Sequence, residues 1–164
     1  MLFRSLAELG IRLAEQPLPA WDLPGMARLR ARSTVPLMAD ECVFSTHDML
    51  AVASAAAADV VSLKLVKHGG LLNTRKVAAV AEAAGIGLYG GCLLESSIGA
   101  AAHLHVFATL RELGWGCEQF GPQILVDDMV TEPLRFAEFH AHVPAGPGIG
   151  VTLDEEKLRR YARR

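Results

Sequence analysis

The chain has 164 residues, 51% of them apolar, and a formal net charge of −2. That length carries one domain with a real core, and the composition excludes a disordered or low-complexity chain. The basic residues are scattered except for Arg159, Arg160, Arg163 and Arg164, which read as a helix end; no nucleic-acid surface is indicated.

In chain order, residues 2–9 read as the end of a helix stopped by Gly10. A strand over 11–15 runs into Gln16-Pro17-Leu18-Pro19, which continues neither a helix nor a central strand. A helix over 24–32 precedes a strand over 35–39. Thr46 is the expected N-cap of a helix over 47–57, with Asp48 in its first turn. A strand over 60–65 leads through Gly69-Gly70 to a helix over 71–84, ended by Gly85. Residues 86–89 form the next strand, 97–110 the next helix and 116–118 a short fifth strand. Beyond Gly121-Pro122 the rhythm breaks into extended pieces over 124–126, 134–139 and 142–143, then a last helix over 154–162 capped by Asp154.

Strand and helix alternate strictly, and the strands are nearly continuous apolar runs, which suits a parallel sheet buried on both faces. A complete β/α barrel needs eight strands. Five strands fit either an open doubly wound sheet or the later part of a barrel, and periodicity alone does not choose.

The three cysteines, Cys42, Cys92 and Cys117, lack CxxC spacing, and their odd number argues against a disulfide framework and for a reducing compartment. Zinc is not indicated, and a small buried hydrophobe is the plain reading of all three. No apolar stretch is long enough for a signal peptide or a bilayer span. A cytoplasmic location with no membrane partner is expected.

The chemistry concentrates at strand ends. Glu15, Asp40, Lys64 and Glu118 each close an apolar run, at intervals of 25, 24 and 54 residues, the last about two repeat units. Charges at one phase of a β/α repeat converge at one end of a parallel sheet, where such folds place their chemistry. Two hard carboxylates from neighbouring strand ends suit Mg²⁺ or Mn²⁺. Lys64, inside Val-Val-Ser-Leu-Lys-Leu-Val, is too costly to bury without a partner or a function. Lys67 reads as a solvated loop charge, and Gly69-Gly70 as a tight turn rather than a phosphate cradle. His103 and His105, two apart on a helix, read as structural. So do His140 and His142.

Ordered along the chain, Glu15-Gln16-Pro17-Leu18-Pro19, Met38-Ala39-Asp40-Glu41, Leu63-Lys64-Leu65-Val66-Lys67-His68-Gly69-Gly70, Tyr89-Gly90-Gly91-Cys92-Leu93-Leu94-Glu95-Ser96-Ser97, Trp115-Gly116-Cys117-Glu118 and Val126-Asp127-Asp128 resemble the enolase superfamily. The resemblance is to its muconate lactonizing branch, the muconate and chloromuconate cycloisomerases, from about residue 6 onward.

That resemblance implies a partial (β/α)8 barrel holding about strands four to eight, with a C-terminal extended segment and final helix. Glu15 and Asp40 become metal ligands for Mn²⁺ or Mg²⁺, and Lys64 an acid/base lysine. Desolvation and the metal would both favour its neutral form. Glu118 assists at the eighth strand, and Glu95 and Ser96 contact substrate after the seventh. Helix capping is the alternative for those two. The implied activity is lactonization of cis,cis-muconate or a chloromuconate, small dicarboxylates, through a metal-stabilised enolate. Other enolate-forming branches remain alternatives: o-succinylbenzoate synthase, N-acylamino acid racemase and dipeptide epimerase. So does a non-catalytic remnant or interaction module.

The family also has an N-terminal capping domain, a Lys-x-Lys pair and a first metal carboxylate on earlier strands. Nothing in this sequence corresponds to them. Residues 1–164 are therefore expected to form a single incomplete barrel domain with impaired or no activity alone. An open half barrel exposes sheet edges, so homo-oligomerisation or association with the other barrel half is expected.

Overall fold

Four short strands lie side by side in chain order, all parallel: β1 (Ala14–Glu15), β2 (Leu37–Ala39), β3 (Val60–Leu63) and β4 (Gly87–Gly90). The computed structural model describes residues 8–162, so the helix expected over 2–9 lies almost wholly outside them. Register is set by Glu15 opposite Met38, Ala39 opposite Val61, and Leu63 opposite Gly90. The fifth strand is reduced to one parallel bridge, Gly90 to Cys117.

Alternation along each strand divides the sheet into two faces. Leu37, Ala39, Val61, Leu63 and Leu88 point to one side. There they share one buried cluster with Met26, Met49, Val52, Val77, Ala78, Ala81, Val106 and Phe107. Those partners come from four helices: α1 (Leu23–Arg30), α2 (Thr46–Ser54), α4 (Leu71–Ala83) and α5 (Ser97–Phe107). All four helices therefore cover the same face. A doubly wound sheet would divide its helices between both faces, so this is a partial (β/α)8 barrel, and Met38, Val60 and Ser62 face its interior. Full burial of each large outer-face side chain contributes about 1.5–3 kcal/mol.

The helix starts explain several boundaries. Asp22 caps α1 by accepting from the Gly25 amide at 2.8 Å, and a side chain at Gly25 would collide with that carboxylate. The cap of α2 is Ser45, one residue before the expected Thr46. Its hydroxyl accepts from the Asp48 amide, and Asp48 Oδ2 accepts from the Ser45 amide at 2.8 Å, a reciprocal box that fixes the first turn. Strand β3 ends at Leu63, and the backbone turns at once into α3 (Leu65–His68). Lys67 is thus helical, not in a loop.

The C-terminal part differs most from expectation. Residues Gly121–Ile124 form a helical turn, α6, whose last residue overlaps the extended piece expected over 124–126, and no strand forms there. The run over 134–139 is broken: β5 (Phe136–Ala137) and β6 (His140–Ala141) pair antiparallel across Glu138 and Phe139, both at positive φ. This hairpin packs with Leu134, Ile149 and Val151 on Ala100, Ala101 and Leu104 of α5. Helix α7 (Glu155–Tyr161) is capped by Asp154, as the sequence predicts. Cys42, Cys92 and Cys117 are all free, but Cys117 is exposed rather than buried, because only one neighbouring strand reaches it. Among the described residues, no helix is long and apolar enough to cross a membrane.

Candidate active site

Where the parallel strands end, the backbone brings four charged residues to one mouth. Lys64 follows β3 directly, and its ammonium donates to Asp40 Oδ2 at 2.7 Å. Glu15 Oε1 lies 3.9 Å from the same nitrogen. Lys64 and Asp40 are buried, whereas the Glu15 side chain is 41% exposed and opens to solvent. Glu118 follows the Cys117 bridge, anchored by its amide on the Gly90 carbonyl at 2.9 Å.

The neutral Gln16 amide sets the spacing of the two acids. Its Oε1 accepts from the amides of Asp40 (2.9 Å) and Cys42 (3.2 Å), while its backbone N–H donates to the Met38 carbonyl at 2.8 Å. Held together this way, the acids act on each other. Burial and then the Asp40 charge push the Glu15 carboxyl above its ordinary value, with Lys64 opposing. Asp40 itself is held below the ordinary range: its burial is outweighed by hydrogen bonds from Lys64 and Lys67.

Lys64 is buried as expected, among three acids that favour its charge. Burial does work against its charge, but the Asp40 hydrogen bond and the charges of Asp40, Glu15 and Glu118 outweigh it. Together they push Lys64 above its ordinary value; a metal cation beside it would act in the opposite direction.

Lys67 departs from expectation. Its side chain is only 5% exposed, and its nitrogen donates to Asp40 Oδ1 (2.6 Å), the Asp40 carbonyl (2.7 Å) and the Ser62 carbonyl (2.9 Å). The signal that could have found it is the Lys-x-x-Lys spacing, which returns the second lysine over the strand end once a helical turn follows.

Tyr89 was also missed. It alternates with the outer-face Leu88 and so faces the interior. Burial and then the adjacent Glu118 carboxylate push its phenol above the ordinary value. Gly91 completes this wall. Its amide donates to the Leu63 carbonyl, and a Cβ there would meet both Ser62 Oγ and the Lys64 stem.

Glu95 and Ser96 lie beyond β4. The Glu95 carboxylate folds back onto the Leu93 amide at 2.9 and 3.0 Å, and its Oε1 is 3.8 Å from His103 Nε2. Ser96 stands at the N-cap of α5 without a side-chain hydrogen bond. Asp128 serves instead, accepting from the Ser97 amide at 3.1 Å from 31 residues away. Burial pushes the Cys92 thiol above its ordinary value, and the charges of Glu118 and Glu95 add to that. His103 is structural as expected: its Nε2 accepts from the Leu65 amide at 2.9 Å, which requires the proton on Nδ1, facing the Gly99 carbonyl. His68 is buried, and burial followed by the Lys67 charge pushes it down to about 4.

Among the described residues, no three His, Cys, Asp or Glu side chains cluster as a ready metal cage. Glu15 and Asp40 are two hard oxygen donors in mutual repulsion, which a divalent cation would relieve.

Comparison with known proteins finds relatives along nearly the whole chain. Muconate cycloisomerase 1 of Pseudomonas putida is 47% identical over 159 residues, covering 97% of this chain and 42% of that protein. A chloromuconate cycloisomerase of Delftia acidovorans is 46% identical, with 96% and 43% covered. Among solved structures, muconate cycloisomerase from Pseudomonas fluorescens superposes with a TM-score of 0.96 at 46% identity, covering 99% of this chain and 45% of that one. The 2-chloromuconate cycloisomerase of Rhodococcus opacus gives 0.95 at 43% identity, covering 98% and 43%. The chain thus spans less than half the length of these relatives. Residues 1–157 match the family model described as Enolase C-terminal domain-like, and to that family the chain belongs.

Proposed function

We propose that this chain carries the strand-four-to-eight side of a muconate cycloisomerase active site, for lactonization of cis,cis-muconate or a chlorinated muconate. The observation that supports this best is the triad of Lys64, Asp40 and Glu15, with contacts of 2.7 and 3.9 Å at adjacent parallel strand ends. The printed names of the relatives favour muconates over the substrates of other enolate-forming branches.

Glu15 and Asp40 fit a divalent cation, Mn²⁺ or Mg²⁺, as two of its oxygen donors. Each Asp40 oxygen already accepts one lysine hydrogen bond, which leaves further lone pairs on a carboxylate. When bound, such an ion supplies Lewis-acid stabilisation of negative charge developing on a carboxylate substrate. The protein's own groups do the rest. In lactonization a substrate carboxylate oxygen bonds to one alkene carbon, and the carbon α to the other carboxylate takes a proton. Lys64, held as an ammonium by Asp40, donates that proton and finishes the step as an amine. Glu118, with Tyr89 beside it, orients the substrate from the far wall. Glu95 and Ser96 border the approach from the loop after β4. The partner is a small dicarboxylate, and the place of β1 at the edge of the sheet among the described residues supports an assembly, with a second copy or another barrel half, that closes the mouth.

Purified chain with Mn²⁺ and cis,cis-muconate, followed by loss of diene absorbance and by chromatography of muconolactone, tests the reading. Lactone formation that Lys64→Ala abolishes supports it. Absence of both lactone formation and Mn²⁺ binding overturns it in favour of a non-catalytic module.

A further inference from the structure

Among the described residues, Lys67 is a lysine with a buried side chain that the reaction leaves without a task. An ammonium has three hydrogens, and all three are engaged by Asp40 Oδ1, the Asp40 carbonyl and the Ser62 carbonyl, at 2.6, 2.7 and 2.9 Å. None is free for a substrate. Two of the acceptors belong to one residue, so Lys67 bridges the backbone and the carboxylate of Asp40. That chelate fixes the Asp40 side-chain torsions. With Oδ1 turned to Lys67, Oδ2 is left facing Lys64 at 2.7 Å. The third acceptor ties the clamp to β3, which leads directly into Lys64.

We propose that Lys67 is a positioning residue: it locks the Asp40 carboxylate so that one oxygen is spent on the clamp and the other is presented to Lys64 and the mouth. The bearing on metal and catalysis rests on the function proposed above; the bearing on Asp40 and Lys64 does not.

The test is NMR of the lysine ζ-¹⁵N ammonium groups, assigned with Lys64→Met and Lys67→Met. In the wild type, the Lys67 ammonium hydrogens exchange with water far more slowly than those of exposed lysines such as Lys76. Exchange as fast as at Lys76 overturns the clamp without any variant having to fold. In Lys67→Met, with a native circular-dichroism spectrum, the Lys64 signal shifts and its hydrogens exchange about tenfold faster. Lys67→Arg keeps the charge, but a planar fork cannot converge on the same three acceptors, so it does not restore the Lys64 signal. An unchanged Lys64 signal in both variants overturns the proposal.

Mn²⁺ titration adds an independent sign. Removing a positive charge beside Asp40 would tighten cation binding by electrostatics alone. Loss of positioning weakens it, by about 10–100-fold. Equal or tighter binding in Lys67→Met overturns the proposal. A wild type that binds Mn²⁺ no better than Asp40→Asn sinks the metal reading instead, and the Lys64 signal then decides the clamp.

Discussion

Gly91 and Lys64 touch across the wall of the mouth: a Cβ built on Gly91 would lie 2.7 Å from Lys64 Cε. The lysine can run straight to Asp40 only because residue 91 has no side chain. Its stem cannot simply swing aside, since the far end is fixed by a 2.7 Å hydrogen bond. Gly91→Ala, whose methyl would also press on Ser62 Oγ, is therefore expected to displace Lys64 and cost about 1–3 kcal/mol from overpacking. Urea denaturation measures the stability, and the lysine ammonium spectrum reports whether the Lys64 signal moves. An unchanged spectrum would show that the wall gives way instead.

Lys64→Ala is expected to lower turnover by about 10²–10⁴ in an assembly that converts muconate, because proton donation is lost. Asp40 keeps Lys67 as a partner, so the fold survives. Steady-state kinetics alongside a thermal melt separate the two effects. Wild-type turnover in this variant would remove Lys64 from the mechanism.

His68 makes stability depend on pH. Its folded value of about 4 lies below the ordinary 6.5 of an unfolded chain. Between those values the unfolded state binds the extra proton, so stability is complete above about pH 6.5, falls as pH drops towards 4, and then levels off. The loss is at most about 3 kcal/mol for a shift of that size. Urea unfolding at neutral pH and near pH 4, in the wild type and His68→Gln, checks this. The variant should show a shallower acid limb, and identical limbs would contradict it.

Asp128→Ala removes the carboxylate that accepts the Ser97 amide at the start of α5. The expected cost is about 1 kcal/mol, as for other N-cap deletions. Amide exchange at Ser97 should rise with it. A change at Ser96 instead would return the capping role to that side chain.

The outline of this mouth was legible because strand-end charges repeat at a fixed phase, and apolar runs this continuous admit few other arrangements. Glu15, Asp40, Lys64 and Glu118 converge as the spacing predicts. Lys67 was misread because a loop was assumed after Lys64; whether the backbone extends or coils there decides between a solvated lysine and a buried clamp. Thr46 lost the cap to Ser45 because either hydroxyl suits the position, and the reciprocal bond with Asp48 settles it. The Glu138-Phe139 turn carries none of the Asn or Gly that normally announces two positive φ angles. Asp128 reaches α5 from 31 residues away, a distance that no local pattern encodes. The upward push on Lys64 comes from three carboxylates at three other strand ends, and only coordinates can count them.

Gln16 gives the site a further property. Two acids that would drift apart in water are kept as neighbours by an uncharged amide stitched to the β1–β2 seam. Their closeness is thus inherited from the backbone and does not depend on what sits between them. Holding the two carboxylates side by side is therefore part of folding itself.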